Sequence, residues 1–199
     1  LIWPEASGKR HFPFPPTGRN QPVFCLIVFA SMPSLALRFA ADSAMAPQIG
    51  GSAAFRGFIR RELIPEVERR YRTTPERAII GESLAGLFIV EAFLEEPALF
   101  THAIALDPSL WWNKGALVDS AKSRLGAFNA APRTLYLASS DVADIAAGTT
   151  RLAAVLSASR TAGLRWRYTA RPDLTHGTIF RALKAAALVD ALAALQQRP

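Results

Sequence analysis

Residues 79–86 read IIGESLAG, and this stretch decides the fold expected for the chain of 199 residues. An apolar run over residues 77–81 precedes Ser83, and a run over residues 84–94 that is apolar nearly all round follows it. The first run is typical of a short buried strand, and the second is typical of a helix packed centrally on a sheet. The pattern therefore predicts a strand, a sharp turn and a helix, with Ser83 at the turn.

A serine at such a turn has the placement of a hydrolase nucleophile. A strained turn projects the hydroxyl above the sheet, and small residues such as Gly81 and Ala85 let strand and helix approach each other. The N–H of Leu84, at the start of the helix, can then face a developing oxyanion. A structural role as the N-cap of the helix is the alternative for Ser83. Because Ala85 stands where the strict motif has a second glycine, the local pattern leaves both roles open.

Strands and helices alternate along the rest of the chain. The pattern predicts an amphipathic helix from Phe55 to Tyr71 and a closing Ala/Leu-rich helix over residues 178–195. Between them it predicts short strands over residues 102–106, 134–138 and 164–169 and a helix over residues 152–159. Such alternation is typical of a mostly parallel sheet covered by helices on both faces. We therefore expect an α/β fold, a three-layer α/β/α sandwich.

The first quarter of the chain differs from the remainder. Residues 1–22 are rich in proline, glycine and basic side chains and predict irregular structure. The apolar run over residues 23–30 is compatible with a buried strand and, with Arg19 before it and SAMA after it, with a signal peptide. We expect one domain over residues 1–199, in which residues 1–50 form an atypical leader, residues 51–199 form the core, and the fold is incomplete at its N-terminal end.

The charge, the cysteine count and the lengths of the apolar runs indicate which classes of binding partner to expect. The formal net charge is +7, but the arginines are dispersed and no nucleic-acid-binding motif is present, so we expect no nucleic acid partner. A preference for an anionic substrate is the alternative explanation of the charge. The single cysteine, Cys25, excludes an internal disulfide framework and gives no metal cluster. No apolar run reaches the roughly 18–20 residues of a spanning helix, so no membrane span is expected.

His176 is the candidate general base among the three histidines. His11 lies in the leader and His102 opens a predicted strand, whereas His176 follows the strand that ends near residue 169. A general base needs a partly exposed position at the carboxyl end of a strand. The order of serine, acid and histidine is that of α/β-hydrolases. A solvated loop histidine is the alternative.

Several aspartates compete for the role of the acid that orients the imidazole. Asp141 ranks first because it follows the predicted strand over residues 134–138, where the third member of such a triad usually lies. Asp144 ranks second, and Asp107, which follows the preceding strand, ranks third. Asp173 is close to His176 in sequence, but its side chain is expected to project from the end of the predicted strand. A serine–histidine dyad that works without an acid is a further alternative.

Five segments of the chain resemble the Putative esterase family of α/β-hydrolases. This family includes esterase D (S-formylglutathione hydrolase), the enterobactin and other ferric-siderophore esterases, and the mycolyltransferases. The segments are FIRRELIP at 58–65, GESLAGLF at 81–88, PALF at 97–100, DPSLWWN at 107–113 and THG at 175–177. The PSLWW run is the most specific of them and indicates the siderophore-esterase-like branch. The resemblance covers roughly residues 50–195.

The resemblance implies an α/β-hydrolase fold and hydrolysis of a small-molecule carboxylic ester, of siderophore or simple acyl type, with no cofactor and no metal. Ser83 matches the family nucleophile and His176 its histidine. Trp111 and Trp112 are expected in the substrate cleft, with core packing as the alternative. The first 50 residues depart from the family, because the early strands and the loop with a second oxyanion donor are not recognisable. A hydrolase fold that binds ligand without turnover, and acyl transfer to another alcohol, are therefore alternative functions.

Overall fold

A five-stranded parallel sheet lies at the centre of the computed structural model, which describes residues 25–29, 50–126, 128 and 131–196. The strands lie side by side in the order in which they occur in the chain. They are β1 (Cys25–Phe29), β2 (Arg77–Glu82), β3 (His102–Leu106), β4 (Arg133–Ser139) and β5 (Leu164–Ala170). Because every neighbouring pair is parallel, all five carboxyl ends meet at one edge of the sheet.

The described helices connect these strands. In chain order they are α1 (Ser52–Phe58), a π-helical turn (Ile59–Leu63), α2 (Ile64–Arg70), α3 (Leu84–Glu95), a 3₁₀ turn (Trp112–Gly115), α4 (Ala116–Leu125), α5 (Ala143–Ser159) and α6 (His176–Gln196). In the part of the chain that the structure describes, no helix is both long and apolar enough to cross a membrane.

The two faces of the sheet support separate hydrophobic clusters, because side chains alternate along each strand. One face carries Ile79, Ala103 and Leu135, which pack with residues of α3, α4 and α5. The opposite face carries residues such as Ile80, and α6 covers it with Ile179 and Leu183 among others. Helices on both faces of a parallel sheet make the three-layer α/β/α sandwich that the sequence predicts.

The predicted strands are confirmed, and the apolar run over residues 23–30 contains the edge strand β1. Two helices begin earlier than the hydrophobic pattern indicates. Helix α5 starts at Ala143 and passes through Gly148, where an added Cβ would lie 3.0 Å from the Cβ of Leu110. A glycine there permits close packing instead of ending the helix, which local propensity does not reveal.

Helix α6 starts at His176, two residues before the predicted start of this helix. The residues before and within its first turn hydrogen-bond to each other, since the Thr178 hydroxyl accepts the Thr175 N–H at 3.0 Å. The Thr178 N–H in turn donates to the Thr175 carbonyl at 3.0 Å. His176 therefore lies on the first turn of a helix, a more rigid position than the loop expected from the sequence.

The close approach of β2 and α3 leaves no space for a side chain at position 81. A Cβ on Gly81 would lie 2.9 Å from the Ala85 Cβ and 3.0 Å from Ile89 Cδ1. We expect Gly81→Ala to lower the free energy of unfolding by about 1–3 kcal/mol, the usual cost of overpacking a core, in urea denaturation. Gly177→Ala is the control, because nothing lies within 4 Å of its Cβ position. An unchanged stability of Gly81→Ala would contradict this packing.

Candidate active site

Ser83 occupies a strained turn between β2 and α3. Its backbone angles are φ 60° and ψ −125°, in a region that residues other than glycine rarely adopt. The Ser83 N–H donates to the Leu106 carbonyl at 3.2 Å. The Ser83 carbonyl accepts N–H groups from Leu87 at 3.0 Å and Ser109 at 3.1 Å. The turn is therefore held by the segment that directly follows β3, and the strain has structural support.

The hydroxyl of Ser83 does not cap α3, which removes the local observation that would favour a purely structural serine. Its oxygen lies 3.4 Å from the Oγ of Ser109, a buried side chain. Leu84 is the first residue of α3, so its N–H belongs to the first-turn amides that have no partner within a helix. An amide in this position can donate to an anion formed beside the serine.

His176 and Asp107 are in direct contact in the site. The Nδ1 of His176 lies 2.6 Å from Oδ2 of Asp107. The Asp107 side chain is fully buried, whereas the imidazole side chain is 42% exposed. A buried carboxylate on Nδ1 fixes the orientation and tautomer of a histidine and leaves Nε2 available for proton transfer.

Ser140 holds the Asp107 carboxylate in place from the end of β4. The Ser140 N–H donates to Oδ1 of Asp107 at 2.6 Å, and the Ser140 hydroxyl donates to Oδ2 at 2.7 Å. Ser140 is itself buried, and Asp107 has a left-handed φ of 51°. The Ser140 N–H, the Ser140 hydroxyl and the imidazole of His176 thus donate three hydrogen bonds to the two carboxylate oxygens, which compensates the cost of burying this charge.

The carboxylate that contacts His176 is therefore that of Asp107 and not that of Asp141, which the sequence analysis ranks first. Asp141 and Asp144 are both exposed, and the N–H of Asp141 donates to the Leu174 carbonyl at 3.0 Å. Asp173 pairs with Arg171 at 2.6 and 2.7 Å, and this guanidinium lowers the pKa of the Asp173 carboxyl.

The order of the strands explains the difference. Strand β3 lies between β2 and β4, so the residue after β3 is adjacent both to Ser83 and to the end of β4. The sequence contains one signal of this arrangement. Asp107 directly follows a strand in which every residue is buried, and two serines stand at the end of the neighbouring strand, Ser139 as its last residue and Ser140 directly after it. A charged side chain at that position needs polar partners, and Ser140 supplies them.

The two tryptophans occupy different environments. Trp112 is 2% exposed and belongs to the core cluster, which favours the core-packing alternative for this residue. Trp111 is 36% exposed, and its ring centroid lies 5.8 Å from that of Trp112. Neighbouring residues on a 3₁₀ turn point in different directions, which sequence adjacency does not resolve. A contact of Trp111 with substrate stays a prediction.

Glu82 introduces a second carboxylate into the site. It is the last residue of β2, and burial raises the pKa of its carboxyl above the usual value. The His176 imidazole and the Phe180 N–H act in the opposite direction, and Asp107 adds to the rise. Oxygen Oε1 of Glu82 is buried and has no hydrogen-bond partner within the described part of the chain.

The polar groups of the site converge on the carboxyl edge of the sheet, although they are distant in sequence. Ser83 follows β2, Asp107 follows β3, Ser140 follows β4, and His176 lies beyond β5. Crevices at this edge of open parallel sheets are where α/β proteins place their ligands. The order of serine, acid and histidine along the chain is that of α/β-hydrolases.

Comparisons with known proteins match the family that the motifs indicate. The model of the Putative esterase family matches residues 33–152, more than half of the chain. This match begins earlier than the expected resemblance and ends before His176. The ferri-bacillibactin esterase BesA of Bacillus subtilis is 44% identical over 69 residues, 34% of this chain and 24% of that protein. A siderophore triacetylfusarinine C esterase of Aspergillus fumigatus is 33% identical over 76 residues, 37% of this chain and 26% of that protein.

The fold also has similar solved structures. The BES protein from Bacillus cereus superposes with a TM-score of 0.66 at 19% identity, over 76% of this chain and 58% of that one. The matched segments span about a quarter of the length of the two curated relatives. The chain belongs to the Putative esterase family.

Proposed function

We propose that this protein is a serine hydrolase that cleaves carboxylic esters through an acyl-enzyme, with Ser83 as nucleophile, His176 as general base and Asp107 as orienting acid. The observation that carries the proposal is the 2.6 Å contact between His176 Nδ1 and the buried Asp107. This contact lies at the same sheet edge as the strained Ser83 turn. Family membership supports the same reaction class.

The proposed reaction has two half-cycles, and His176 accepts and then returns one proton in each of them. Ser83 Oγ attacks the ester carbonyl while His176 Nε2 takes its proton, and Asp107 stabilises the imidazolium that forms. The Leu84 N–H donates to the oxyanion. The imidazolium then protonates the departing alcohol. In the second half-cycle the imidazole takes a proton from a water molecule that attacks the acyl carbon, and the imidazolium returns this proton to Ser83 Oγ as the carboxylic acid leaves.

For the substrate class we propose an ester of a siderophore. The curated relatives are named as a ferri-bacillibactin esterase and as an esterase of the siderophore triacetylfusarinine C. Ferric siderophores of the catecholate type are anionic, and the net charge of +7 is suited to an anionic substrate. Simple acyl esters are the alternative substrate, and comparing kcat/KM for a siderophore ester and a p-nitrophenyl ester separates the two.

A fluorophosphonate probe tests the nucleophile directly. We expect one covalent adduct per chain, located on Ser83 by peptide mass spectrometry, because the probe phosphorylates serines activated by a neighbouring base. Labelling should disappear in Ser83→Ala. It should persist in Ser157→Ala, which removes an exposed serine of α5. A label that survives Ser83→Ala, or that maps to the adjacent Ser109, would refute the assignment.

Probe labelling, combined with ligand binding and product analysis, distinguishes the alternative functions. A protein that resists the probe yet binds a ferric catecholate would be a hydrolase fold without turnover. A protein that is labelled but transfers the acyl group to an added alcohol instead of water would be an acyltransferase, and product analysis with acceptor alcohols detects this.

A further inference from the structure

Glu82 lies between the proposed nucleophile and the helix that carries the proposed base. It directly precedes Ser83, and in the sheet register it pairs with Leu106, the residue before Asp107. Two residues earlier in β2, Ile80 packs against α6, so the alternation along the strand directs Glu82 toward the same helix. His176 and Phe180 are one turn apart on that helix and lie on one face of it.

The surroundings of this carboxylate are unfavourable for its charge. Burial disfavours the anion, and Oε1 has no hydrogen-bond partner within the described residues. The titratable groups that act on it are His176 from α6 and Asp107, which follows β3, and the Phe180 N–H provides a further favourable contribution. A half-buried carboxylate with an unsatisfied oxygen costs stability, and the fold would avoid this cost with a neutral residue.

The chemistry of the site can make use of this charge. During ester cleavage the imidazole gains a proton, and two carboxylates then face the resulting cation. Asp107 already receives three hydrogen bonds and fixes the ring through one of them. Within the described residues Glu82 acts on the ring through space and not through a hydrogen bond, and partial burial strengthens the attraction between unlike charges.

We propose that Glu82 is a positioning residue for His176: its anion stabilises the imidazolium formed during the reaction, at the expense of fold stability. The inference rests on the proposed function. It predicts that removal of the charge weakens catalysis and strengthens the fold. A carboxylate that only favours the positive N-terminal end of α6 would instead stabilise the fold.

The test compares Glu82→Gln with the wild-type protein. We expect kcat for a p-nitrophenyl ester to fall about tenfold with KM unchanged, the size of effect that one partly screened charge exerts at short range. We expect the acid limb of the kcat/KM profile to move to lower pH by about one unit, because an imidazolium without this anion loses its proton more readily. Glu62→Gln, which removes an exposed carboxylate, is the control and should change neither quantity.

Stability gives a second measurement. The folded pKa of Glu82 is raised, so its charged form destabilises the native state, and the wild-type protein should lose stability as pH rises through that pKa. Glu82→Gln lacks this loss and should have the higher Tm at pH 8. A lower Tm with an unmoved pH profile would overturn the proposal and assign Glu82 a structural role.

The stability measurement keeps this inference separate from the proposed function. We expect the higher Tm of Glu82→Gln at pH 8 whether or not the protein turns over ester. A wild-type protein without turnover and without probe labelling would refute the proposed function alone. An unchanged or lower Tm of Glu82→Gln at pH 8 would refute the role of Glu82 alone.

Discussion

Replacing Ser83 with alanine is expected to lower kcat for ester hydrolysis by about 10⁴–10⁶-fold, and His176→Ala should cause a loss of similar size. The nucleophile and its base act as a unit, since an unactivated hydroxyl is a poor nucleophile and an imidazole without the hydroxyl has no proton to accept. The double variant should therefore be no slower than either single variant. Initial rates with a p-nitrophenyl ester measure all three.

The folding of these variants serves as their control. Ser83 has a small, half-buried side chain, and the imidazole of His176 is 42% exposed, so neither truncation opens a cavity in the core. Circular dichroism should stay close to wild type for both. The Tm of Ser83→Ala should be unchanged, and that of His176→Ala should fall modestly because Asp107 loses one hydrogen bond. Losses that multiply in the double variant would mean that the two side chains act independently, and this would contradict a shared reaction step.

Asp107→Asn is expected to lower kcat by about 10²–10⁴-fold with little change in KM, because an amide no longer holds the imidazole in the reactive tautomer or stabilises its cation. Asp141→Asn is the matched control. It makes the same substitution on the exposed aspartate that the sequence ranks first, and its kcat should stay within about twofold of wild type, as for most surface substitutions.

Stability distinguishes the two aspartates further. The Asp107 carboxylate receives two hydrogen bonds from Ser140 and one from His176. Asp107→Asn removes the charge from all three contacts, so we expect a loss of about 1–3 kcal/mol in the free energy of unfolding. Asp141→Asn should leave it unchanged. A larger kinetic loss for Asp141→Asn than for Asp107→Asn would refute the assignment of the acid.

The absolute rate depends on how many donors face the oxyanion, because one missing donor typically costs about 10²–10³-fold in rate. The Leu84 N–H at the start of α3 is one candidate donor, and residues 30–49, where a second one is sought, lie outside the described residues. The strain at Ser83 and the contacts of Asp107 do not depend on that donor. Probe labelling and the ratios between variants are therefore better measures of the site than the absolute turnover number.

The sequence by itself determined the local features of this protein. An apolar run directly before Ser83 and another directly after it are sufficient to predict a strand, a turn and a helix, because these elements depend on neighbouring residues. The need for a small residue at position 81 is also local, because Ala85, only four residues further along the chain, carries the atom that a Cβ on Gly81 would meet. The alternation of strands and helices further predicted a parallel sheet with both faces covered.

Only the tertiary structure decided which of the distant side chains meet. Asp107 replaces Asp141 as the partner of His176 because β3 lies between β2 and β4, and the order of strands in a sheet is a long-range property that no local pattern encodes. Tertiary packing also decides that Trp112 is buried while its neighbour Trp111 is exposed. It likewise decides the environment of Glu82, because the packing of α6 over the end of β2 buries this carboxylate and raises its pKa. Electrostatic partners are set by packing across the sheet, whereas strands and turns are set along the chain.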